Sequence, residues 1–226
     1  MPLIPQSDVS PADWFVDADA DWWTKVILGP PGFEAYARVL YDLDEEAPIE
    51  SGERMRADLH AVLVRHTATP EDCYFALWDG WGDMEGGRRD IGLRYAVTYG
   101  SSRLVRWGAR LKTARAKRRN YAPAFAQSFL DGQKVSVPNR DFYLFSGSVG
   151  DPVDWGAADY ARGLPRDHST PPALMWPADR SWFVAGDVDP DWIGVGGSQA
   201  LIDEILAAER LDVVPTTYGP DQPEYR

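Results

Sequence analysis

The sequence predicts an α+β protein with an antiparallel sheet, helices before the sheet, a C-terminal closing helix and a basic helical insertion. Three observations predict this class. Short apolar runs separated by turn residues favour strands joined by hairpins. Amphipathic stretches precede and follow these runs and indicate helices. One segment, 88–134, differs in composition from the rest of the chain because its charges are mainly basic.

Apolar periodicity predicts two helices before the sheet. The stretch 33–43 (FEAYARVLYDL) and the stretch 53–66 (ERMRADLHAVLVRH) each place apolar residues on one face. The apolar residues are Phe33, Tyr36, Ala37 and Leu40 in the first stretch, and Met55, Leu59, Val62 and Leu63 in the second. Between residues 14 and 23, WFVDADADWW alternates apolar and acidic residues, which is typical of a strand.

The strands of the sheet are predicted from five apolar runs and the turns between them. The runs are CYFALW (73–78), DFYLFSG (141–147), ALMW (173–176), SWFVAGD (181–187) and WIGV (192–195). Val188-Asp189-Pro190-Asp191 has the turn chemistry of a hairpin. Ser198 is the expected N-cap of the closing helix, and WGAADYARG (155–163) reads as a short helix. We therefore expect one α+β domain over 1–226, with 88–134 as the basic helical insertion and 212–226 as an extended tail.

The charge distribution limits the class of partner. The net charge is −12, yet residues 91–130 hold nine Lys or Arg and no Asp or Glu, so the remainder carries 14 basic and 35 acidic residues, or −21. An acidic body repels nucleic acid, so any polyanion must meet the basic segment 103–119. The candidates for that contact are Arg103, Arg106, Trp107, Arg110, Arg115 and Arg118. The alternative, which we favour, is that the segment contacts protein, including the acidic body of this chain or of a second copy; a homo-oligomer stays open.

The sequence also predicts where the protein resides. We expect no signal peptide, because the N-terminus has neither a basic region nor an apolar core. No run approaches the ~18 apolar residues of a spanning helix. The single cysteine, Cys73, lies in an apolar run and is expected to be a buried thiol. We therefore predict a cytoplasmic protein without a membrane partner.

Motifs for metal and cofactor binding are incomplete, so we predict no metal, no cofactor and no catalytic residue. Two Asp-x-Asp-x-Asp stretches, at 17–21 and 187–191, resemble the start of a calcium loop but lack its glycine at position 6 and its glutamate at position 12. Ser198 follows two glycines as in a nucleophile elbow, but that elbow requires a later histidine, and the last one is His168.

Four strings resemble blocks of a family of uncharacterised bacterial proteins that carries no established activity. They are GPPGFEAYARVLYD (29–42), HTATPEDCYFALWDGWGD (66–83), NRDFYLFSG (139–147) and WPADRSWFVAGDVDPDWIGVGGSQALIDEIL (176–206). The order of elements and the hairpin WFVAGDVDPDWIGVGGS are also remotely similar to the SUKH superfamily of toxin-immunity proteins. That resemblance implies a non-catalytic protein that binds a partner.

Ten tryptophans and a few fixed charges favour a non-enzymatic interaction protein, since aromatic walls with charged groups are common in binding sites. The predicted ligand-binding or partner-binding residues are Trp78, Asp79, Trp81, Arg140, Asp141, Trp176, Asp179 and Arg180. Two alternatives stay open for them. Asp179 and Arg180 could form salt bridges around a tryptophan-rich core. Asp79 could instead act with Asp141 or Asp187 as the paired carboxylates of an enzyme for a small or sugar-like substrate.

Overall fold

A computed structural model describes residues 1–41, 48–81, 84, 121–151, 153–162, 166 and 170–223. The chain divides into two compact units. The larger unit comprises Met1–Asp79, Gly132–Gly156 and Ser169–Arg226, and the smaller comprises Gly80–Asp131 and Ala157–His168. Residues 88–120 of the predicted insertion lie outside the described residues, so the prediction of a single domain with a helical insertion stays a prediction.

The larger unit has three helices in its N-terminal part, then a run of strands, and a further helix near its C-terminal end. Its helices are α1 (Asp13–Val16), α2 (Trp22–Leu28), α3 (Pro48–Leu63) and, after α4 of the smaller unit (Gln127–Leu130), α5 (Gln199–Leu206). Its strands are β1 (Ile4–Pro5), β2 (Ala35–Leu40), β3 (Cys73–Trp78), β4 (Val135–Val137), β5 (Arg140–Gly147), β6 (Leu174–Pro177), β7 (Trp182–Ala185), β8 (Trp192–Gly197) and β9 (Asp212–Thr216).

The nine strands form one antiparallel sheet in the order β1-β5-β3-β6-β7-β8-β2-β9, with β4 also paired to β5. The predicted α+β class with an antiparallel sheet is confirmed. The hairpin between β7 and β8 follows the turn signal of residues 188–191, whereas β3 pairs with β5 and β6, two strands far from it in the sequence. Residues 212–216, at the start of the predicted tail, pair with β2 as an edge strand.

One face of the sheet packs against α1 and α2. Directly paired residues point to the same face, and neighbours along a strand alternate. Trp176 of β6 stacks on Phe183 of β7 with ring centroids 5.5 Å apart, and Phe15 of α1 stacks on the same phenyl ring at 5.3 Å. These rings are fully buried and form the centre of the core on this side.

The opposite face packs against α3 and α5. The Trp182 indole donates a hydrogen bond to the Leu63 carbonyl at the end of α3. Ser198 caps α5, as predicted, by accepting a hydrogen bond from the Leu201 amide at 3.2 Å. Leu201, Ile202 and Ile205 are buried, and α5 contacts β2, β8 and β9.

Glycine in β8 allows α2 to lie directly on the sheet. A Cβ added to Gly194 would stand 2.1 Å from the Ile27 carbonyl oxygen and 2.9 Å from the Leu28 Cα. Both are backbone atoms, so no side-chain rotation would relieve the overlap. Close packing of α2 therefore explains the glycine at position 194.

The smaller unit is organised in its described part around a buried arginine. Arg166 donates hydrogen bonds to the carbonyls of Ala158 and Ala122, each at 2.8 Å, and its guanidinium lies 4.0 Å from the Tyr160 ring centroid. These bonds join the segment around residue 122 to the segment around residue 158. The buried charge is satisfied by backbone oxygens.

Three local predictions are wrong. The predicted helix 33–43 is the strand β2, and the strand-like stretch 14–23 contains the end of α1 and the start of α2. The described residues of WGAADYARG, 155–162, form no helix.

Among the residues that the structure describes, no helix has the length and apolar character needed to cross a membrane.

Candidate functional site

Three strand ends of the larger unit lie along the same end of the sheet. Trp78, the last residue of β3, pairs with Phe142 near the start of β5. Ala76 pairs with Leu174 at the start of β6, which in turn pairs with Ala185 at the end of β7. The sheet register therefore places Arg140 and the loop after β7 at one sheet end with Trp78.

Arg140 is the centre of this sheet end. Its Nε and Nη2 donate to the two carboxylate oxygens of Asp187 at 2.8 and 2.9 Å, a bidentate ion pair in which the Asp187 side chain is only 5% exposed. Asp189 lies 3.9 Å from the same guanidinium. The hydrogen bonds that Arg140 donates to Asp187, together with the charge of that carboxylate, raise the pKa of Arg140 despite partial burial.

Two tryptophans lie within cation–π distance of this guanidinium. The Cζ of Arg140 is 5.1 Å from the Trp78 ring centroid and 5.9 Å from the Trp22 ring centroid. Trp22 is the first residue of α2, where Asp21 caps the helix through the Thr24 amide. Both indoles are partly exposed. A partner can therefore reach aromatic surface that the arginine holds in place.

The loop after β7 extends this surface into solvent. Val188 is 49% exposed and its amide donates to Asp187, while the Asp189 side chain is 62% exposed. We name this group of residues the aromatic edge. It comprises Trp22, Trp78, Arg140, Asp187, Val188 and Asp189.

A second ion pair lies on the other face of the same sheet end. Lys134 donates to Asp79 at 2.9 Å and lies 4.8 Å from the Tyr143 ring centroid. Although partial burial opposes the effect, the hydrogen bond to Asp79 raises the pKa of Lys134. The Asp79 amide donates to the Asp141 carbonyl, and Asp141 is exposed. Asp79 and Asp141 thus lie beside each other, as the sequence predicted for a site.

Trp176 lies in the core and is only 1% exposed. It stacks on Tyr74 and Phe183 and contacts Trp14 edge-on. No partner can reach it in the folded chain. The tryptophan count indicated binding, but this indole fills the space between the sheet and α1.

Asp179 and Arg180 lie at the opposite end of the sheet from Trp78. They follow β6, whose end pairs with Cys73 at the start of β3. Asp179 accepts hydrogen bonds from the Ala68 amide at 2.7 Å and from the Thr67 hydroxyl at 2.9 Å, which fixes the loop before β3. Arg180 is exposed, with its guanidinium 5.1 Å from the Trp14 ring centroid. Asp179 and Arg180 are therefore not part of the aromatic edge, and Asp179 connects the loop after β6 to the loop before β3.

The remaining predicted residues are not part of the aromatic edge as defined above. Trp81 belongs to the smaller unit. All six polyanion candidates (Arg103, Arg106, Trp107, Arg110, Arg115 and Arg118) lie outside the described residues, so the nucleic-acid hypothesis stays a prediction.

Sequence reasoning missed Trp22 and Lys134 and did not pair Asp187 with Arg140. A signal existed for the ion pair, because Arg140 directly precedes the predicted strand 141–147 and Asp187 ends the predicted strand 181–187. Using it required the strand order, which turn residues do not specify. Trp22 was missed because the stretch 14–23 was predicted to be a strand, whereas Trp22 begins the helix α2.

The carboxylates considered for catalysis are paired with cations. Both oxygens of Asp187 accept hydrogen bonds from Arg140, and one oxygen of Asp79 accepts a hydrogen bond from Lys134. No group of three or more metal-ligating side chains occurs within the described ranges. Cys73 is fully buried, and burial raises the pKa of its thiol to about 12, which explains why it is an apolar filler and not a nucleophile.

Comparison of the chain with protein-family models, with curated proteins and with solved structures found no match in any of the three.

Proposed function

We propose that this chain is a non-enzymatic, cytoplasmic binding protein and that the aromatic edge is its contact surface for a protein partner. The observation that carries the proposal is the Arg140 arrangement. A bidentate carboxylate fixes a guanidinium that lies close to two partly exposed indoles. Pre-organised Trp and Arg side chains are the residues most enriched among those that dominate binding energy at protein interfaces.

Charge indicates the chemistry of the partner. Among the residues discussed above for this sheet end, the carboxylates are Asp79, Asp141, Asp187 and Asp189 and the cations are Arg140 and Lys134, a balance of −2; Asp141 and Asp189 are exposed. The whole chain is also acidic, at −12. A polypeptide segment with Lys or Arg beside an apolar residue complements both the carboxylates and the exposed indoles.

The SUKH resemblance extends this proposal in one direction. An immunity-like role would make the partner a toxin, bound and blocked by the aromatic edge. Catalysis is not part of the proposal, because the two carboxylates suited to it are held by Arg140 and Lys134.

Selection from a displayed peptide library tests the proposal. The bait is the full chain, and we expect selected peptides that are rich in Lys and Arg and bind with micromolar affinity. The variant Val188→Lys/Asp189→Lys should weaken these peptides by about tenfold or more, since it reverses charge and removes apolar surface at the contact. The matched control is Leu206→Lys on α5, which replaces another exposed apolar residue, 40% exposed, away from the aromatic edge.

The proposal fails if selection enriches no peptide class. It also fails if the selected peptides bind the Val188→Lys/Asp189→Lys variant as tightly as they bind the unmodified chain.

A further inference from the structure

Arg38 carries a charge that the rest of the described chain does not neutralise. It lies in β2, an interior strand between β8 and β9. Its Nε is buried without a hydrogen-bond partner, and none of the described residues forms an ion pair with it. A buried donor without a partner loses its hydration and gains nothing in return, so such a group calls for an explanation.

The guanidinium of Arg38 does have an aromatic platform. Its Cζ lies 5.5 Å from the ring centroid of Trp192, on the paired strand β8. The indole of Trp192 is itself fixed, because its Nε1 donates to the Pro223 carbonyl at 2.9 Å. The Trp192 side chain is only 1% exposed, so its orientation under the guanidinium is fixed by packing as well as by this hydrogen bond.

Arg140, on the same sheet, has both an aromatic contact and a carboxylate partner. On the same face, Arg140 has an indole contact at 5.1 Å and in addition a bidentate carboxylate, Asp187. Arg38 has the indole contact alone. Arg140 also lies near a second indole, Trp22, and a second carboxylate, Asp189, whereas no described carboxylate pairs with Arg38.

Arg38 is partly exposed as a residue, whereas its Nε is buried. Its backbone lies inside the sheet, so its exposed surface belongs to the far end of the side chain. An incoming ligand can therefore reach the outer nitrogens.

We propose that Arg38 is the binding residue for the carboxylate of a ligand, which it receives in the bidentate way that it lacks within the chain. The Trp192 indole, which is itself buried, supports the guanidinium from one side. A planar guanidinium fits the two oxygens of a carboxylate, as it does those of a phosphate. The chain carries −12, which opposes a dianionic phosphate more than a monoanionic carboxylate.

The test is an NMR titration of the full chain that follows the arginine Nε–Hε signals. The probes are acetate, phosphate and chloride at constant ionic strength. We expect the Arg38 signal to shift saturably with acetate and more weakly with phosphate, and not to saturate with chloride. The signals of Arg140 and Arg180 are internal controls, because Arg140 is already paired and Arg180 is exposed over Trp14. Arg38→Lys should bind acetate about tenfold more weakly, because lysine cannot form the bidentate contact.

A saturable shift with phosphate that exceeds the one with acetate would overturn the carboxylate assignment. An Arg38 signal that moves no more than that of Arg180 would overturn the site itself. A second variant, Arg38→Met, separates binding from folding. Because no described residue pairs with the charge of Arg38, and methionine keeps an apolar contact with Trp192, the melting temperature of this variant should be unchanged or higher. A clear decrease would show that Arg38 is structural.

Discussion

At the scale of single residues, one ion pair positions the two partly exposed indoles of the aromatic edge. Asp187 neutralises Arg140, and the arginine in turn lies near Trp22 and Trp78. A buried ion pair contributes little net stability over apolar residues of the same volume, but removal of one partner leaves a charge without compensation. The pair therefore matters chiefly for the position of the two aromatic side chains.

Replacement of one member of this pair should be costly, and replacement of both should not. Asp187→Ala removes the bidentate counterion of Arg140, whose side chain is only 16% exposed, so we expect it to lower the free energy of unfolding by about 3 kcal/mol. The double variant Arg140→Leu/Asp187→Leu should recover most of that loss. Urea denaturation measures both, and a double variant no more stable than the single one would refute the explanation.

At the scale of elements, the contact of α2 with β8 sets the position of Trp22. The helix begins at this residue and lies against Gly194, so any displacement of α2 moves one indole of the aromatic edge. The sheet supplies Trp78 independently, from the end of β3.

The Gly194→Ala variant tests this dependence. Its added methyl group would overlap backbone atoms of Ile27 and Leu28, and overpacking of this kind costs about 1–3 kcal/mol. We expect a loss of stability in that range and a changed Trp22 fluorescence or indole NMR signal. Gly219→Ala is the matched control, because nothing lies within 4 Å of its added Cβ. Equal behaviour of the two variants would rule out the tight contact.

Two of the three wrong element predictions, those for 33–43 and 14–23, have a physical reason in the fold. In β2 the residues Tyr36, Ala37, Val39 and Leu40 are all buried, because helices cover both faces of the sheet and apolar residues occupy both. Such a strand loses its alternation and can imitate helical spacing. Conversely, the acidic alternation of residues 17–21 lies between two helices, where Asp21 caps α2. The strands 73–78, 141–147 and 192–195 and the helix 53–66 were predictable because their signals are local.

At the scale of the whole molecule, strand order decided which predicted residues came together. Local signals placed Trp78, Asp79, Arg140 and Asp141 on predicted strands or at their ends, and the sheet brings these four to one end. The same signals placed Asp179 near a strand end as well, but β6 runs antiparallel to β3 and carries it to the opposite end. No single-sequence pattern contains that register.

The aromatic edge is tested most directly by site-specific photo-crosslinking in the host cell. A photoreactive amino acid replaces Val188 in one version of the chain and Leu206 in another, two exposed apolar positions of similar exposure. Our account predicts one dominant protein adduct from position 188, lost when Asp189 is changed to Lys, and none of that mass from position 206. The same adducts from both positions, or none from 188, would contradict it.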